Sequence, residues 1–197
     1  MLEVILLGPA CVVDTSIILR LWDDKVFNVV PSIFAHVVIP GEVMGEIINH
    51  KELKIAINTY ITEGKIVITT RADMDEFERA TYDSVMSSLR RYLSSCPGAR
   101  SNRGEMAVAA TAIARTIPVV LMDDSEAERV ISRIIDTREQ ISIYRSAAVV
   151  RAAKALGALP PRIERALLKK WATKGRQITS SEDGAMLAQV LSTGGAD

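Results

Sequence analysis

The feature that most constrains this chain is a short apolar run ending in two acids. Pro118 to Met122 reads PVVLM, and Asp123 and Asp124 follow at once. A fully apolar run of this length suits a strand buried on both faces, the kind found in parallel sheets. The preceding segment from Gly104 to Arg115 carries Met106, Ala107, Ala110 and Ala114 at helical spacing, and a further helix is predicted from Asp124 to Ile135. In an open parallel sheet, ligands bind beyond the carboxyl ends of the strands. An acidic pair at that position therefore faces the functional edge.

The rest of the chain repeats the alternation. Strands are predicted over Glu3 to Asp14, Val37 to Pro40, Lys65 to Thr69 and Ile141 to Tyr144. Helices are expected from Thr15 to Trp22, from Glu42 through Ile61 with Gly64 as the stop, and from Ala147 to Leu156. Two more are expected from Arg162 to Ala172 and from Glu182 to Leu191. A long amphipathic helix is read from Arg71 to Ser94, with Phe77, Thr81, Val85, Leu89 and Leu93 as its apolar stripe. The breaker-rich segment SSCPGARSNRG reads as a loop. Strands alternating with helices imply an α/β fold: a three-layer α/β/α arrangement around a parallel sheet of about five strands, plus extra C-terminal helices. Residues 1–145 are expected to form the main domain, with a helical insertion near 71–95. Residues 146–193 are expected to pack on it as a helical extension.

With 197 residues, 48% of them hydrophobic, the chain can bury a sizeable core. No apolar run is long enough to span a membrane, and the N-terminus reads as structure rather than as a leader. Cys11 and Cys96 lack paired spacing, which argues against a disulfide framework or a zinc site and makes a cytoplasmic setting the expectation. A formal net charge of zero excludes a bulk polycation, so any nucleic-acid contact must be local.

Five carboxylates fall at matched places. Asp14 ends the first strand, Glu46 lies one turn into the helix after the second, Glu105 opens the helix before the fourth, and Asp123 and Asp124 end that strand. Crowded carboxylates repel one another unless something offsets their charge, and an oxygen-only donor set suits Mg²⁺ or Mn²⁺. Each acid also has a reading as a cap. Asn102 with Glu105, and Ser125 with Glu128, match the capping box, and Asp14 can cap the next helix. Of these, Asp14 is the hardest to explain as a cap alone, because it follows a buried valine pair.

These residues resemble the PIN domain family of metal-dependent ribonucleases. The resemblance rests on VVDTSIIL from Val12, VIPGEVMGEI from Val38, GEMAVAATAIA from Gly104 and VVLMDDSEAERV from Val119. It implies that Asp14, Glu46 and Glu105 bind Mg²⁺ or Mn²⁺, with Asp124 favoured and Asp123 retained as the fourth acid, and with Ser16 orienting Asp14. It implies hydrolysis of a phosphodiester in single-stranded RNA, by a toxin of a toxin–antitoxin pair or by a processing enzyme. An antitoxin protein and a homodimer are the partners to expect. Glu105 departs from the aspartate many members carry, and the long helix departs from the compact toxins. Arg90, Arg91, Arg100 and Arg103 are candidate phosphate contacts, with a solvated surface as the competing reading. The alternative function is a non-catalytic nucleic-acid-binding or protein-docking module. A phosphoryl-accepting receiver domain fits less well, because its acidic pair belongs after the first strand.

Overall fold

The computed structural model describes residues 9–94, 103–135, 141–173 and 181–193. Five short strands form one sheet: β1 (Ala10–Val13), β2 (His36–Pro40), β3 (Ile66–Thr69), β4 (Val119–Leu121) and β5 (Ser142–Tyr144). All neighbours pair in parallel, in the order β3-β2-β1-β4-β5. Every residue of β1 and β4 is buried, as expected for the central strands of a sheet covered on both faces. Helices flank this sheet in the three-layer α/β/α arrangement.

The chain first builds outward from β1 through α1 (Thr15–Asp23), α2 (Val30–Ile33), α3 (Gly41–Glu46) and α4 (Lys51–Thr62) to β3. It continues through α5 (Glu76–Ser94) and α6 (Arg103–Ala114), then inserts β4 on the other side of β1. The strand order therefore reverses between β1 and β4. Helices leaving these two strands diverge and open a crevice at their carboxyl ends. Register holds the two ends level: Val13 pairs with Leu121, and the Asp14 N–H donates to the Leu121 carbonyl at 3.0 Å.

α6 is buried almost all round, from Gly104 through Ala110 to Ala114. Its alanines let it lie close against the sheet while α5 covers its outer side. The chain then runs through α7 (Ser125–Ile135) and β5 into α8 (Ser146–Ala155), α9 (Pro161–Thr173) and α10 (Ser181–Thr193). α8 packs against β5, α1 and above all α10. A Cβ on Gly184 of α10 would stand 2.5 Å from the Arg151 Cβ of α8, so only glycine permits this approach. Trp171 of α9 is core, 1% exposed. Among the described residues no helix is long and apolar enough to cross a membrane.

The helix read from Arg71 to Ser94 divides in two. Thr70 and Asp73 form a capping box around a 3₁₀ turn at Arg71–Asp73. Asp75 and Glu78 then bond each other's backbone N–H groups (2.7 and 3.1 Å) and start α5 afresh. The apolar stripe is also different: Tyr82, Met86 and Leu89 are buried, while Phe77 is 79% exposed. A strict four-residue spacing drifts by about 40° per step on a helix of 3.6 residues per turn, so Phe77 lies about 120° round from Leu89. The helix expected from Glu42 through Ile61 also breaks, between Glu46 and Lys51, where Ile47 is buried and Ile48 exposed. The 3₁₀ turn Phe27–Val29 and α2, which carry no periodic signal, are additions. Glu3 to Gly8, the loop around Cys96 and Arg100, Asn102 and Ser180 lie outside the described residues.

Candidate active site

Asp14 stands where β1 becomes α1 and is 1% exposed. It caps α1: its Oδ2 accepts the Ser16 N–H at 3.0 Å and the Ser16 hydroxyl. Its Oδ1 is buried and has no hydrogen-bond partner among the described residues. Desolvation pushes the Asp14 carboxyl up, the bonds from Ser16 and the backbone N–H of Thr15 pull it down, and the charge of Glu46 adds to the upward push. A cap needs only one oxygen. The second is buried without a hydrogen-bond partner among the described residues, which is costly unless a further group meets it.

Glu46 is held between two elements. The Thr15 hydroxyl donates to Oε2, and the Gly104 N–H donates to Oε1 at 3.2 Å. The missing side chain at Gly104 is part of this arrangement, since a Cβ there would lie 2.5 Å from Glu46 Oε1. Glu105 comes next on α6. Desolvation pushes its carboxyl up to about 7, and the charges of Asp14, Glu46 and Asp124 push the same way. Carboxylates from four separate segments thus share one field.

The two aspartates after β4 separate in role. Asp124 caps α7, with Oδ1 accepting the N–H groups of Glu126 (2.7 Å) and Ala127 (3.0 Å). Asp123 turns to the other side. Its Oδ1 accepts the Ser146 N–H at 3.0 Å, and its Oδ2 accepts the Ser146 hydroxyl and pairs with Arg20 at 2.7 Å. Its backbone N–H donates to Ser16 Oγ at 3.1 Å. The charges that reach Glu105 are those of Asp14, Glu46 and Asp124, while both Asp123 oxygens are engaged with Ser146 and Arg20.

As they stand, no group of three or more His, Cys, Asp or Glu side chains among the described residues is disposed to hold a metal ion. Asp14, Glu46 and Asp124 each accept hydrogen bonds from nearby donors. The donor set itself fits a hard divalent cation: oxygen only, with one buried oxygen on Asp14 unpartnered among the described residues and one carboxyl, Glu105, driven towards neutrality by desolvation and then by its neighbours.

Arg90, Arg91 and Arg103 are exposed. Arg90 and Arg103 lie close enough to Tyr82 for their charges to act on its phenol, which donates to Glu42 at 3.2 Å. Burial, with the Glu42 charge next, pushes that phenol up to about 12. An open groove of about 320 Å³ runs from Glu105 and Asp124 past Leu89, Met106 and Val130. Thr15, Arg20, Gly104 and Ser146 escape sequence reading. Only Gly104 leaves a local sign, a glycine opening an otherwise alanine-rich helix.

Residues 10–190 match the sequence model of a family described as a PIN domain, which is well over half of the chain. Members of that family are generally nucleases and typically use divalent metals. No curated protein and no solved structure matches the chain.

Proposed function

The chain belongs to the PIN domain family, and on that ground we propose that it is a Mg²⁺- or Mn²⁺-dependent ribonuclease that hydrolyses phosphodiester bonds of single-stranded RNA. Its biological setting would be that of a toxin held by an antitoxin, or of an RNA-processing enzyme. The observation that carries this reading is the Oδ1 of Asp14, buried and unpartnered among the described residues, at the reversal of the strand order beside Glu46, with Glu105 under the charges of Asp14, Glu46 and Asp124.

Asp14, Glu46, Glu105 and Asp124 would hold the cation. When bound, it supplies Lewis acidity towards a phosphate oxygen and neutralises charge developing on the leaving oxygen. The protein's own residues do the positioning. Ser16 fixes the Asp14 carboxylate by two donated bonds, and Thr15 and the Gly104 N–H fix Glu46. Glu105 must be ionised to act as a ligand, so with its carboxyl at about 7 cation affinity falls as pH drops below neutrality. Arg90, Arg91 and Arg103, exposed on α5 and at the start of α6, are the basic groups offered to the RNA backbone.

The test is cleavage of single-stranded RNA in Mn²⁺ by the wild type and by Asp14→Asn. The variant should stay folded by circular dichroism and lose cleavage. A folded wild type that cleaves none of a diverse RNA panel in Mn²⁺ refutes the reading. It would favour instead a non-catalytic nucleic-acid-binding or protein-docking module.

A further inference from the structure

Arg20 is neither one of the clustered acids nor near the groove, yet it is tied to both sides of the crevice. Its guanidinium pairs with Asp123 Oδ2 at 2.7 Å, and the two side chains are only 20% and 3% exposed. Its other side lies against Trp171 of α9, 5.9 Å from the ring centroid. Trp171 is itself pinned, with its indole N–H donating to Asp24 Oδ2 at 2.6 Å while Lys170 pairs with the same carboxylate. Asp123 passes the constraint on: its backbone N–H donates to Ser16 Oγ, and the Ser16 hydroxyl donates to Asp14.

We infer that Arg20, backed by Trp171, is a positioning residue: by holding Asp123 it fixes Ser16 and, through Ser16, the orientation of the Asp14 carboxylate that would meet the cation. This inference rests on the nuclease reading for its consequence in catalysis, but its geometry does not depend on it. Two features argue against a merely stabilising ion pair. Asp123 has both oxygens committed, so its orientation is set by partners from α1 and α8 rather than by its own strand. Ser16 joins it to Asp14, whose other oxygen has no hydrogen-bond partner among the described residues. The need to meet a carboxylate and a ring face at once also explains why an arginine stands here. A guanidinium can stack on an indole and donate in its own plane at the same time, and an ammonium cannot. The C-terminal helix α9 is then part of what shapes the site, although it contributes no acid to it.

The experiment compares Arg20→Met and Arg20→Lys with wild type, with Arg71→Met as the control for losing a cation from an exposed ion pair. Mn²⁺ affinity is read by electron paramagnetic resonance of the free ion, and RNA cleavage is split into kcat and KM. Loss of a partner that orients a metal ligand typically lowers affinity or activity by about 10–100-fold. Arg20→Met should weaken Mn²⁺ binding within that range and lower kcat with KM little changed. Arg20→Lys should recover part of both, and Arg71→Met should change neither. If Arg20→Met is folded and binds Mn²⁺ as tightly as wild type, the inference is overturned. If Arg20→Met does not fold, Arg20→Lys decides, and unaltered Mn²⁺ affinity and kcat in that variant overturn it equally. A wild type that binds Mn²⁺ but cleaves no RNA removes the nuclease reading alone, and the affinity ratio still decides the role of Arg20. A wild type that binds no Mn²⁺ removes both.

Discussion

Replacing Glu105 by glutamine should make the metal-free protein more stable while removing its proposed activity. The Glu105 carboxyl is raised from an ordinary 4.5 to about 7, first by desolvation and then by the charges of Asp14, Glu46 and Asp124. The folded state therefore binds its proton more tightly than the unfolded state does. By linkage, the ionised carboxylate costs nothing below the unfolded pKa, costs progressively more between 4.5 and 7, and imposes the full penalty above that. At about 1.4 kcal/mol per unit the full penalty is roughly 3 kcal/mol, and it falls to about 2 kcal/mol once partial access to water is allowed for. A glutamine keeps the shape and carries no charge. In a domain of this size about 2 kcal/mol corresponds to roughly 4–8 °C in melting temperature. The assay is thermal melting in a chelator at pH 5.5 and pH 8. Wild type should melt lower at pH 8 than at pH 5.5, Glu105→Gln should flatten that difference, and Mn²⁺ at pH 8 should raise wild type far more than the variant. If Glu105→Gln melts no higher than wild type at pH 8 in chelator, the electrostatic account of the cluster is refuted.

Other substitutions probe the same framework. Gly104→Ala places a Cβ 2.5 Å from Glu46 Oε1; it should displace Glu46 and lower Mn²⁺ affinity by about 10–100-fold, measured by calorimetry on folded protein. Gly184→Ala collides with the Arg151 Cβ at 2.5 Å; urea unfolding should show a loss of about 1–3 kcal/mol. Cys11→Ser puts a hydroxyl into a wholly buried apolar strand; it should cost about 1–3 kcal/mol by the same assay. Phe77→Ser, on an exposed first turn of α5, should change stability by no more than about 0.5 kcal/mol.

Strand positions were legible in the chain because burial on both faces demands uninterrupted apolar runs, as at Cys11–Val13 and Val119–Leu121. Where Asp14 and Asp124 fall relative to their strands was legible for a related reason, since each falls just after such a run and opens the next helix. Helix limits were less so. Phe77 was placed on a stripe it does not share because a four-residue spacing drifts off the helical repeat, and the break before α5 comes from two adjacent capping boxes competing to start a helix.

The alternation of strand and helix, and the place of each acid relative to its own strand or helix, follow from local pattern, since each depends on residues close together in the chain. The division of labour between Asp123 and Asp124 does not. Two adjacent identical side chains carry no local difference. What separates them is Arg20 and Ser146, brought from other segments to hold one, and the first N–H groups of α7, which hold the other. The same is true of Gly104, whose need for a bare α-carbon exists only because Glu46 is folded against it. Such choices belong to packing, because hydrogen bonds and charges act over a few ångströms of space whatever the distance along the chain.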